Sequence, residues 1–166
     1  MKELEIEPYS AIYQDQVVAL IIGIQHGEFG IPINLEMQPD LLKIPEFYQV
    51  NHGNFWIARK EDKVIGTISL LDIGNNKGAL RKMFVAREYR GKDFGVAQAL
   101  LDCLINWARD RGISEVLLGT TEKFTAAQRF YEKNGFVEIK KQELPDEFPI
   151  MEVDVKFYRL FLSNRA

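Results

Sequence analysis

The chain has 166 residues, 46% of them hydrophobic and 27% charged, with a formal net charge of −3 and a single cysteine. That length suits one domain around one core, residues 1–166, and the composition excludes a disordered or fibrous chain. The spread of charge gives no footprint for a nucleic-acid backbone, a lone Cys103 forms no internal disulfide, and the start lacks the basic and apolar regions of a secretion signal.

In chain order, residues 4–9 alternate as an edge strand, and Tyr13, Val17, Leu20, Ile21 and Ile24 recur at helical spacing. The apolar run at 17–24 is far shorter than the about 20 residues a spanning helix needs. A cytoplasmic protein without a membrane partner is therefore expected. Between residues 25 and 49, Gly27, Gly30, Pro32, Pro39 and Pro45 break the pattern, leaving a loop with short helical turns around 41–48. That stretch reads as a flexible binding wall rather than a rigid core element. Residues 55–59 and 64–73 form a hairpin around Glu61-Asp62-Lys63, and 79–85 adds a third strand.

From Phe94 onward, Ala97, Leu100, Leu101, Leu104, Ile105 and Ala108 make one apolar stripe that ends near Arg111-Gly112. Cys103 sits in this helix as a small buried hydrophobe. Residues 115–118 read as a buried strand and Thr125–Lys133 as a helix. Asn134-Gly135-Phe136 is a left-handed helix stop, and 136–139 and 151–160 are closing strands. The order is mixed α/β around one central sheet.

The chemistry begins at residues 87–95, REYRGKDFG, a basic, glycine-containing turn between a strand and the longest helix. Free backbone N–H groups and the positive end of the helix dipole bind a phosphate or diphosphate there. Gly91 and Gly95 let the backbone approach, and Arg90 and Lys92 add charge. The spacing is neither a Walker loop nor a dinucleotide fingerprint. Read from the residues alone, the turn also fits a phosphate- or nucleotide-binding domain, or glycines that serve only to make a bend.

Residues 83–101, MFVAREYRGKDFGVAQALL, resemble the cofactor signature of the GNAT superfamily of N-acetyltransferases. Residues 127–136, AQRFYEKNGF, are similar to its second signature, at the expected separation. The resemblance implies a single domain whose central sheet is mixed, mostly antiparallel and splayed, with helices on both faces. It implies acetyl-CoA as co-substrate and a small-molecule amine as acceptor, with no metal, in a monomer or a homodimer joined through the C-terminal strands. A non-catalytic CoA-binding sensor is the alternative on the same fold.

Carried over residue by residue, the resemblance puts the diphosphate on the backbone of Gly91, Lys92, Asp93, Phe94, Gly95 and Val96, with Arg90 opening the loop. Phe84 and Val85 hold the pantetheine arm, and the Met83 N–H faces the thioester carbonyl, where charge develops. Phe124 and Ala127 border the arm. Tyr131 is the general acid, protonating the leaving thiolate.

Two positions depart from the family pattern. Asp93 replaces a glycine and sets a carboxylate near the diphosphate, and Phe124 replaces an asparagine, for which Thr120 or Thr121 can supply the missing hydrogen bond. The acceptor must arrive as a free amine, and period-two alternation puts Ala79, Arg81 and Met83 on one strand face, none of them acidic. His26, Glu28, Glu36, Asp40 and Asp72 are the alternatives for a base. Arg81, Glu28 and Phe29 are candidates for the acceptor wall, with Phe47, Tyr48 and Trp56 as aromatic contacts. If its side chain faces the acceptor, Arg81 can hold a substrate carboxylate bidentately, which points to an amino acid-like acceptor; the alternative is an exposed arginine on a strand.

Overall fold

The computed structural model describes residues 4–91 and 93–163. Its strands are β1 (Leu4–Pro8), β2 (Asn54–Lys60), β3 (Lys63–Gly74), β4 (Lys77–Val85), β5 (Glu115–Thr120), β6 (Val137–Ile139) and β7 (Lys156–Phe161). They form one mixed sheet in the order β1-β2-β3-β4-β5-β7-β6. Every neighbouring pair is antiparallel except β4 and β5, which run parallel. The helices are α1 (Gln14–Ile22), α2 (Ile44–Phe47), α3 (Val96–Asp110) and α4 (Thr125–Lys133).

Apolar periodicity sets the layers. The stripe on α3 buries Leu100, Leu101, Leu104 and Ala108 against Trp56, Ile65 and Ile68 of the sheet. Truncating one such leucine to alanine costs about 2–5 kcal/mol. Val17 and Ile21 of α1 fill a second core on the other face, with Phe55 and Ile57. Cys103 is half-buried at the edge of the α3 core, where burial pushes its thiol pKa up. At the end of α4, Gly135 takes a φ of 92° and the Phe136 N–H reaches back to the Tyr131 carbonyl at 3.0 Å, the expected left-handed stop.

Two expectations need correction. Residues 25–49 are not merely a flexible wall, because Leu41, Ile44 and Tyr48 are fully buried in the second core. Pro39 and Pro45 open short helical turns, where a missing N–H costs nothing, so prolines that read as breakers act as starters. The last strand begins at Lys156 rather than 151. Residues 151–154 instead close a turn in which the Asp154 carboxylate accepts the Met151 N–H at 2.9 Å.

The sheet opens in its middle. β4 and β5 pair only at Lys77 with Glu115, Gly78 with Val116 and Ala79 with Leu117. Beyond Ala79 the strands diverge, leaving a wedge between residues 80–84 and 118–121. No helix among the described residues is long and apolar enough to cross a membrane.

Candidate active site

The wedge is shaped by a bulge in β4. Ser69 pairs with Arg81 and Thr67 with Phe84, so Lys82 and Met83 together face Ile68. Lys82 has a φ of 54°, a left-handed conformation unfavourable for a side-chain-bearing residue. The hydroxyls of Thr67 and Ser69 donate to the Lys82 and Arg81 carbonyls, both at 2.7 Å, replacing regular ladder bonds.

This bulge breaks the period-two reading of the strand. Ala79 packs in a small cluster with Leu117 and Phe157, but Met83 joins the α3 core with Leu80 and Val85, and Phe84 takes the opposite side. Ala79, Arg81 and Met83 therefore do not share one face. Arg81 and Lys82, consecutive in sequence, both send their side chains toward residues 38–48.

The cavity in the wedge measures about 100 Å³. Its walls bring together the β4 edge at Met83 and Phe84, the end of β5 at Thr120 and Thr121, Phe124, and Tyr131 of α4. Tyr131 is 6% exposed and rests against Phe136 and Tyr158, with centroids 5.6 and 6.2 Å away. Burial raises its phenol pKa well above the ordinary value, holding the proton on oxygen at neutral pH. Its hydroxyl has no hydrogen-bond partner among the described residues and is not sealed, and Tyr131 lines the cavity. Ala127, one turn earlier on α4, packs half-buried on the core.

The turn before α3 offers main-chain donors. Gly91 and Gly95 take φ values of 106° and 64°, which a side chain would strain. Gly95 is the N-cap and no side chain caps the helix. Among the described residues, the N–H groups of Val96, Ala97 and Gln98 have no acceptor, while that of Ala99 returns to Gly95. Asp93 and Phe94 are exposed, Phe94 against Tyr89. Lys92 lies outside the described residues.

Arg90 is already engaged. Its Nε donates to the Val85 carbonyl at 2.8 Å, and its two terminal nitrogens grip Glu28 at 2.5 and 2.7 Å. The paired guanidinium holds the Glu28 carboxyl below its usual pKa, which suits a tether rather than a base. Phe29 lies under the same guanidinium and edge-on to Phe124, which also meets Phe84. Glu28 and Phe29 thus gather around Arg90, and neither lines the cavity.

The other side of the cavity carries charge from distant parts of the chain. Arg81 Nε donates to the Tyr48 hydroxyl at 3.1 Å, and that hydroxyl donates to buried Asp40 at 2.6 Å. Lys82 donates to Gln38 and lies 3.7 Å from Asp40. Burial pushes the Lys82 ammonium down to about 8, against the pull of Asp40. Asp154 lines the same cavity, and burial raises its carboxyl pKa despite Arg81 and Lys82 nearby. Gly119 makes room for it, since a Cβ there would stand 2.7 Å from the Asp154 Oδ2.

Of the other base candidates, His26 and Glu36 are exposed, and Asp72 accepts from His52 and Gly74 N–H groups in a turn. Trp56 packs against Trp107 on the α3 face. Sequence reasoning missed Lys82, Asp154, Gln25 and Gln38. Strict alternation separates Lys82 from Arg81, and Asp154 was read as part of a strand.

A family model described as the acetyltransferase (GNAT) family matches residues 8–136. A GNAT-family acetyltransferase from Staphylococcus aureus Mu50 has a structure with a TM-score of 0.93 and 39% identity, covering 97% of this chain and 100% of that one. The Paia N-acetyltransferase of Thermoplasma acidophilum, solved in complex with coenzyme A, shares the fold, with a TM-score of 0.71 and 19% identity over 96% of this chain and 99% of that one. Human N-acetyltransferase 8B is 32% identical over 110 residues, which are 63% of this chain and 48% of that protein. The chain thus spans about half the length of the curated relatives it matches.

Proposed function

The chain belongs to the GNAT acetyltransferase family, and from that premise we propose that it transfers an acetyl group from acetyl-CoA to the amine of a small acceptor by direct attack. The observation that carries the reading is the convergence of Tyr131 and the β4 edge at Met83 on one cavity, in a chain whose α3 opens on N–H groups without acceptors among the described residues. We read residues 1–166 as acting through one such domain.

The residues present fit acetyl-CoA. The N–H groups of Val96, Ala97 and Gln98, at the positive end of a 15-residue helix, suit a diphosphate. The edge of β4 beyond Ala79, without ladder partners on β5, suits the amides of a pantetheine arm. Acetyl-CoA supplies an activated thioester; the protein supplies position and protons. Bound side by side, amine and thioester gain the advantage of an intramolecular reaction.

As the nitrogen lone pair forms the C–N bond and the C–S bond breaks, Tyr131 gives its proton to the departing sulfur. The phenolate then recovers a proton from the acylated nitrogen. Counting the proton an acceptor ammonium sheds before attack, the products are an amide, free thiol and one proton released to solvent.

The test is calorimetric titration with acetyl-CoA and with ATP, followed by thiol release from acetyl-CoA across a panel of amines. Saturable acetyl-CoA binding and amine-dependent thiol release are expected. Binding without release for any amine would instead mark a CoA sensor, and binding of ATP alone would mark a nucleotide site.

A further inference from the structure

We infer that the acceptor is a zwitterion, an amino acid or close analogue, whose carboxylate is held by Arg81 and Lys82 and whose ammonium is held by Asp154. The inference rests on the acetyl-transfer reading and names the substrate class of the same site.

Its basis is unfilled bonding capacity of opposite sign in one cavity. Arg81 uses Nε on Tyr48 and one terminal nitrogen on Met151 and Asp40, while Nη1 has no acceptor among the described residues. Asp154 uses Oδ2 on the Met151 N–H, while Oδ1 has no donor among them. Arg109 Nε is the one side-chain polar atom among the described residues that is both sealed and unpaired. Neither Nη1 nor Oδ1 is therefore sealed, and both residues line the cavity.

Opposite charges in a confined space normally pair. Yet neither Arg81 nor Lys82 reaches Asp154 within ion-pair distance, although both act on its carboxyl electrostatically. The separation is built in. The β4 bulge turns both cations toward Asp40, and the absence of a side chain at Gly119 lets the Asp154 carboxylate settle against β5. A ligand with one anionic and one cationic group fills both vacancies, whereas a polyamine or simple amine leaves the cations unanswered. Asp40, which tethers Arg81 and Lys82 from behind, is not among the lining residues, so the wall facing the ligand has two cations and one carboxylate.

The experiment uses the full chain saturated with coenzyme A for calorimetry and with acetyl-CoA for thiol release. The probes are the twenty common amino acids and matched amines without the carboxylate: alanine with ethylamine, phenylalanine with phenethylamine, lysine with cadaverine, arginine with agmatine. At least one amino acid is expected to bind and react, with kcat/KM about 100-fold or more above its matched amine.

In Asp154→Asn, which keeps an oxygen for the Met151 N–H, amino-acid affinity is expected to fall about ten-fold while coenzyme A affinity holds. In Arg81→Gln the preference for amino acid over matched amine narrows, whereas a merely structural arginine would lower both alike. An amine within ten-fold of the best amino acid, or amines reacting while no amino acid binds, overturns this inference and leaves acetyl transfer standing. Failure to bind coenzyme A overturns both.

Discussion

On the proposed function, the turn at residues 87–96 and the charged wall around Arg81 serve cofactor and acceptor with different material. At the turn, the donors are main-chain N–H groups of consecutive residues, released by Gly91 and Gly95 and aligned by the start of α3. At the wall, the working groups are side chains from residues 81, 82 and 154, with Asp40 behind the two cations, brought together only by the fold. A backbone site tolerates substitution because any residue carries the N–H. A side-chain site does not, since each group has one geometry and a measurable cost of burial. Cofactor binding should therefore be robust and acceptor binding fragile.

The largest effect that probes this contrast is expected at Tyr131, where on that reading cofactor and acceptor meet. Tyr131→Phe should lower kcat about 100-fold or more while leaving the Kd for coenzyme A within two-fold, measured by thiol release and calorimetry. Unchanged turnover would reduce the phenol to a packing residue.

Next comes Lys82. Burial lowers its pKa to about 8 from 10.5, so between those pH values the unfolded chain holds more protons than the folded one and stability rises with pH. Denaturant unfolding across that window should show a gain of about 3 kcal/mol that Lys82→Met lacks. Parallel curves for the two proteins would mean that Lys82 is solvated.

Gly119→Ala sharpens the comparison further. The added methyl displaces the Asp154 carboxylate, so acceptor KM should rise about ten-fold with coenzyme A affinity intact. Equal losses for cofactor and acceptor would show that the two are not independent.

The smallest effect belongs to the turn itself. Asp93 is exposed and puts a carboxylate beside the main-chain donors, so Asp93→Gly should tighten coenzyme A binding by about five-fold, with no change in acceptor KM. Looser binding would contradict the placement of the diphosphate.

How much could be read in advance follows the same division. The α3 stripe, the Asn134-Gly135-Phe136 stop and the glycine turn depend on neighbours three or four residues apart, and each stands where periodicity put it. Tyr131, singled out by its place in the second signature, lines the cavity. The errors lie where distant residues decide. Pro39 and Pro45 looked like breakers until Tyr48 and Leu41 were seen packed against α1 and β2. Strict alternation separates Lys82 from Arg81, because a bulge held by Thr67 and Ser69 hydroxyls leaves only a faint mark in the sequence. Asp154 looked like a residue on an alternating strand until its turn with Met151 and the gap at Gly119 were visible.

The sequence by itself determined the order of elements, the helix that opens on a glycine-containing turn, and the family, because these follow from local periodicity and from short runs of adjacent residues. Only the tertiary structure decided that Arg81 and Lys82 face the same way, that Glu28 ties down Arg90, and that Asp154 lines the same cavity as two cations. Those facts depend on strand register and on where the sheet splays, and a shift of one residue in register reverses every side chain.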